Sequence, residues 1–123
     1  MDSFKFENLD IWKLAYEYAD EIHDLTKSFP KDELFSLSGQ LNRSSSSIPD
    51  NIAEGTGSTT IKDCSNYLQV SIKSTYESVS QLYRAFRRDY ITLEQKNYFY
   101  HKANVLVAKI ISFKKSINSR GKF

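Results

Sequence analysis

Five polar side chains recur at helical spacing near the middle of the chain: Gln40, Arg43, Ser47, Asn51 and Glu54, all within QLNRSSSSIPDNIAEG. Residues three and four apart share one face of a helix, so these five form a column of donors, acceptors and charges. Beside it runs a second series, Leu37, Leu41, Ser44, Ile48 and Ile52, which reads as a core seam. Polar groups so near a core need partners. Arg43 and Glu54 stand roughly 16 Å apart along a helix, too far to pair within it. The column must therefore meet an adjoining helix, a second subunit or a ligand. It can serve as a polar network that fixes the bundle or its assembly, or as a contact to a ligand or nucleic acid.

The other chemistry on offer is charge. Residues 1–94 carry 15 acidic and 10 basic groups, whereas residues 95–123 carry seven basic groups and no acidic one. Arg84, Arg87 and Arg88 stand just before that segment. On one reading these are solvated cations, some favoured near helix C-termini by the macrodipole. On the other, Arg84, Arg87, Arg88, Lys102, Lys109, Lys114, Lys115, Arg120 and Lys122 form a polyanion-binding strip, interleaved with Tyr98, Tyr100, His101 and Phe113.

Signatures of catalysis are missing from the sequence. There is no His-Glu-x-x-His, no glycine-rich phosphate loop and no Gly-x-Ser-x-Gly. The two histidines, His23 and His101, are far apart, and Cys64 is the one cysteine, in register with Ile61 and Leu68 as a small buried hydrophobe. The expectation is a protein without enzymatic activity, metal or cofactor. The opening MDSFKFENLD does not read as a secretory leader, and no apolar run is long enough to span a bilayer. A cytoplasmic, reducing setting away from membranes is expected.

What must position these groups is helical. The chain has 123 residues with four Gly and two Pro, which suits one domain of long helices. Periodicity predicts helices over about 9–28, 32–56, 60–88 and 92–117, joined by short turns into an antiparallel up-down-up-down four-helix bundle. The second helix contains Pro49, and four serines before a proline are also good turn sequence. A kinked helix is predicted there, because both stripes hold register through the proline. Gly55 or Gly57 is expected to cap it. Thr60 with Asp63, and Thr92 with Gln95, are spaced as capping boxes. Ser71, Ser74 and Ser78 form a small-residue strip on the third helix, a natural mate for the serines of the second. In the first helix the apolar arc covers roughly 200°, with Trp12, Ala15, Tyr16, Ala19 and Ile22 along it, Ile11, Tyr18 and Leu25 widening it, and His23 partly buried at its edge. The fourth helix is also apolar on several faces. Such breadth points to surface buried between subunits.

The stretch QLNRSSSSIPDNIAEG resembles the Q-L-R-R-A-x-x-S-I-P-x-N-I-A-E-G signature of the 23S ribosomal RNA intervening-sequence proteins, also called four-helix bundle proteins. FENLDIWKLAYEYADEIHDLTKSFPKDELFSL and YLQVSIKSTYESVSQL resemble that family's first and third helices. Asn42, Ser44, Lys73, Ser78 and Val79 depart from its common residues. The resemblance implies a homopentameric ring. It also implies kinship with the accessory variability proteins of diversity-generating retroelements, similar pentamers that bind nucleic acid and partner a reverse transcriptase. Two functions are in view: an oligomeric module that binds RNA, DNA or a ribonucleoprotein, and an oligomeric scaffold that binds only protein.

Overall fold

The computed structural model describes residues 3–122. A 3-10 turn, Lys5–Asn8, leads into α1 (Asp10–Thr26); a second, Lys31–Glu33, precedes α2 (Leu37–Thr56); α3 (Ile61–Arg87) and α4 (Leu93–Arg120) follow. Each helix packs on its sequence neighbour and α4 closes back on α1, giving the four-helix bundle that short connections predict. Pairings of low with high numbers show the antiparallel sense. Ser65 meets Asn118, Gln69 meets Lys114 and Tyr83 meets Tyr100 across α3 and α4.

Helix starts are chemically marked. The Thr92 hydroxyl accepts from the Gln95 N–H at 3.1 Å, and the Gln95 carboxamide accepts from the Thr92 N–H at 2.9 Å. Thr60 accepts from the Asp63 N–H at 3.1 Å without a return bond. By contrast, α2 begins at Leu37 rather than Asp32. Here Glu33 holds the connection in another shape. Its carboxylate accepts from Tyr90 Oη at 2.6 Å, Arg88 Nη1 at 2.8 Å and the Leu37 N–H at 3.4 Å, tying the α1–α2 connection to the α3–α4 turn. The connection then crosses the first turn of α2 at Gly39, where a Cβ would lie 2.6 Å from the Leu34 carbonyl oxygen. At the other end of the chain α4 runs to Arg120, beyond the predicted end near 117, and Gly121 caps it at φ 70°. Phe123 lies outside the described residues.

Beside the shared hydrocarbon core, α2 and α3 meet through hydroxyls. Pro49 sits inside α2 without ending it. Ser44 and Ser45 donate to the Leu41 and Asn42 carbonyls of their own helix, which removes their incentive to form a turn. The single Ser44 proton is shared between the Leu41 carbonyl and the nearer Gln81 carboxamide oxygen at 2.6 Å, the Ser47 and Ser74 hydroxyls pair at 2.8 Å, and Ser71 donates to the Ile48 carbonyl beside the proline at 2.8 Å. Gly55 completes the seam: a Cβ there would lie 3.1 Å from Tyr67 Cβ and 3.3 Å from the Cys64 carbonyl oxygen. The expected cap falls to Gly57, so Gly55 serves close approach instead. Among the described residues no buried side-chain nitrogen or oxygen lacks a partner.

On α1 the buried line runs through Ile11, Ala15, Tyr18 and Ile22, while Trp12 is half-buried and Tyr16 exposed. Ile11 and Tyr18, read from sequence as the edge of the arc, are its centre. Tyr18 is accommodated because its hydroxyl pairs with Ser78 at 2.8 Å and its ring meets Phe99 edge-on. Burial pushes its pKa up to about 12, against the Ser78 bond. His23 is exposed rather than partly buried.

Two outcomes follow from this packing. Gly39→Ala forces a methyl against backbone oxygen, so it should cost about 1–3 kcal/mol, read as a lower denaturant midpoint at unchanged slope. The Glu33 carboxyl is held below its ordinary range, first by the Tyr90 hydroxyl, with the Leu37 N–H and Arg88 adding and burial opposing. A depressed folded-state pKa contributes stability that is full above the unfolded value and lost as pH falls through the folded one. Urea midpoints measured from neutral to acid pH should therefore fall less steeply for Glu33→Gln than for the native chain. Parallel profiles would show that Glu33 is not the source.

Candidate nucleic-acid interface

The polar column of α2 divides. Gln40 accepts from Arg84 Nη2 at 2.7 Å, Ser47 pairs with Ser74, and Asn51 Nδ2 donates to the Ser47 carbonyl at 2.8 Å and hydroxyl at 2.9 Å. These three are half-buried against α3. Arg43 and Glu54 are exposed and have no hydrogen-bond or ion-pair partner among the described residues. The helical pitch accounts for the split. Position 43 lies ~60° round from position 40, and 54 the same from 51, which turns both out of the α2–α3 seam.

The basic groups divide as well, by what holds them. Two meet carboxylates: Arg88 binds Glu33, and Lys102 Nζ lies 2.6 Å from Glu21 Oε1. Burial works against the Glu21 charge, but bonds from Lys102 and Tyr98 outweigh it and hold the carboxyl below its usual range. Others rest on uncharged partners. Arg84 donates to the Gln40 carboxamide, Lys114 to Gln69 at 2.8 Å and Arg120 to the Ser116 carbonyl at 3.3 Å. Lys96 lies 4.4 Å from the Tyr83 ring centre and 5.2 Å from that of Phe86. Arg87, Lys109, Lys115 and Lys122 are exposed with no partner among the described residues.

The cations of α4 do not form one strip. At ~100° per residue, Lys102, Lys109 and Arg120 lie on the α1 side, Lys96 and Lys114 on the α3 side, and Lys115 and Lys122 outward between them. Along the α3 edge they join residues that the sequence did not single out as a site: Lys73, Tyr76 and Tyr83. Gln69, Lys73, Tyr76 and Tyr83 share a helical face, so a signal was present, but one lysine among tyrosines does not stand out as a charged cluster. Tyr76 and Tyr100 line a cleft of about 240 Å³ over Val79 and Val107. Tyr83 and Tyr100 meet edge to face at 6.4 Å between ring centres.

Other chemistry is not assembled. Burial raises the Cys64 thiol to about 11, against a weaker opposing effect of the Lys5 charge, and Cys64 is fully buried, so it is held as an unreactive thiol. Among the described residues no group of three His, Cys, Asp or Glu is placed to hold a metal, and no helix is long and apolar enough to cross a membrane.

The division of the column has a direct test by denaturation. Arg43→Ala should change stability by less than about 0.5 kcal/mol, as for an exposed side chain. Ser47→Ala should cost about 1 kcal/mol through its lost bonds to Ser74 and Asn51. A loss of several kcal/mol at Arg43 would mean that another subunit buries it.

Comparison with known proteins agrees with this geometry. The profile of a family described as 23S rRNA-intervening sequence protein matches residues 7–112. A similar solved structure is that of a protein with unknown function from the S23 ribosomal protein family, from Bacteroides thetaiotaomicron VPI-5482. It is 28% identical, the match covers 85% of this chain and 98% of that one, and the TM-score is 0.79. No curated protein matches the sequence.

Proposed function

The chain belongs to the 23S rRNA-intervening sequence protein family, and on that premise we propose a non-enzymatic, cytoplasmic, homo-oligomeric module that binds nucleic acid or a ribonucleoprotein through basic surface. The observation that carries this reading is the partnering of the cations. Only Arg88 and Lys102 of the nine candidates meet a carboxylate among the described residues. Arg84, Lys114 and Arg120 are oriented by neutral acceptors, so their charge remains available to phosphates. The structural neighbour's place in an S23 ribosomal protein family supports an RNA-linked setting. Kinship with accessory variability proteins adds a reverse transcriptase to the protein partners in view.

Apolar surface that one chain leaves wet on α1 and α4 supports assembly. Tyr16 is 39% and Tyr98 47% exposed. A closed ring, of five by resemblance, would cover part of this surface and repeat the basic groups once per subunit, so that weak contacts add. The second reading, a scaffold that binds only protein, draws on the α1–α2 connection, where Phe35 is 93% and Leu34 59% exposed.

Light scattering coupled to size exclusion should give a multiple of the chain mass at micromolar concentration; a monomer would remove the ring. Fluorescence anisotropy with RNA and DNA across a salt series should show affinity falling steeply as salt rises, with little sequence preference. Absence of binding at low salt would leave the protein scaffold.

A further inference from the structure

Building on the nucleic-acid reading, we infer that the groove between α3 and α4 takes single-stranded nucleic acid, its bases stacking on Tyr76 and Tyr100 and its phosphates running past Lys73, Lys96 and Lys114. The groove has the two features that single strands require, aromatic faces for bases and cations for the backbone. Tyr76 is 67% and Tyr100 43% exposed, and both line the same cleft of about 240 Å³. That is smaller than the ~300–1,000 Å³ of drug-sized ligand sites, and it suits one planar ring rather than a whole small molecule.

Charge selects the occupant. No acidic residue lines the cleft at Tyr76 and Tyr100, nor its continuation past Lys73 and Ile111. Lys114 is held on a carboxamide and Lys96 over two rings, so neither is paired with a carboxylate among the described residues. The other side of α4 differs. Its clefts place Glu17 beside Lys102 and Asp10 beside Lys109, a mixed lining that does not favour a polyanion. Dimensions agree as well. Lys96 and Lys114 are separated by about 27 Å of helix, or about eight phosphates at ~3.4 Å per stacked nucleotide. A duplex cannot present its base faces to Tyr76 and Tyr100, whereas an unpaired strand can.

The experiment is fluorescence anisotropy of the full chain with labelled oligo(U) and oligo(dT), the same strands made abasic, and duplexes of equal length. Oligo(U) and oligo(dT) should bind more tightly than either control. Tyr76→Ala and Tyr100→Ala should each weaken single-strand binding roughly five- to a hundredfold. Tyr76→Leu, which keeps apolar area without a ring, should weaken it too. Changing Lys73, Lys96 and Lys114 to Gln should lower the salt slope by about 0.7 for each phosphate that is no longer neutralised. Equal binding of abasic strands, or tyrosine variants that bind like the native chain, would overturn the groove while leaving the broader reading standing. A fall in oligomer mass on Tyr76→Ala would overturn it by making the groove a subunit interface. A native chain that binds no nucleic acid would remove both.

Discussion

The close approach of α2 to α3 through a seam of hydroxyls is the constraint on which the rest of the structure depends. Ser47, Ser71 and Ser74 occupy positions where a bundle of this kind would ordinarily place leucine or alanine. Small size lets the backbones come near, but each buried hydroxyl then needs a partner or costs about 1–3 kcal/mol. The seam supplies them: Ser47 with Ser74, Ser44 with Gln81, and Ser71 on the Ile48 carbonyl. The same network resolves the conflict in the sequence, where four serines and Pro49 favour a turn. The hydroxyls of Ser44, Ser45 and Ser47 are engaged by helix carbonyls or by α3, so a turn would leave them nothing to gain.

The seam also decides what faces outward. With the small side of α3 turned to α2, its aromatics Tyr76 and Tyr83 are left along the α4 edge. There they meet Tyr100 and Lys96, and the groove becomes aromatic and cationic together. On the far edge α4 faces acidic α1, and Lys102 is neutralised by Glu21. A single run of lysines in sequence thus yields two edges of different character. The ends of the bundle are tied separately. Glu33 joins the α1–α2 connection to Arg88 and Tyr90, which gives the last turn of α3 a structural duty in addition to its charge.

Much of the fold was legible because periodicity reports it directly. Leu37, Leu41, Ile48 and Ile52 are all fully buried, as are Leu106, Ile110 and Ile117 to within 2%. Thr92 and Gln95 cap α4 as their spacing requires. The start of α2 was not legible, since Asp32 and Glu33 look like first-turn acids and the actual use of Glu33 depends on Arg88 and Tyr90, far away in sequence. Tyr18 as a core residue was hidden for the same reason, its hydroxyl being satisfied by Ser78. The column of α2 was read as one unit because spacings of three and four tolerate a wide face. Only the half that meets α3 is a network, and Arg43 and Glu54 stand outside it.

Ser71 tests the size and the chemistry of the seam at once. It is fully buried, and its hydroxyl bonds the Ile48 carbonyl at 2.8 Å. Denaturant unfolding of Ser71→Ala and Ser71→Val against the native chain is the direct measurement. Alanine should cost about 1 kcal/mol, the worth of the bond. Valine loses the same bond and adds bulk at a fully buried position facing the Ile48 carbonyl, so it should cost about 1–3 kcal/mol more than alanine. A valine variant as stable as the native chain would contradict the claim that close, hydroxyl-satisfied approach holds α2 to α3.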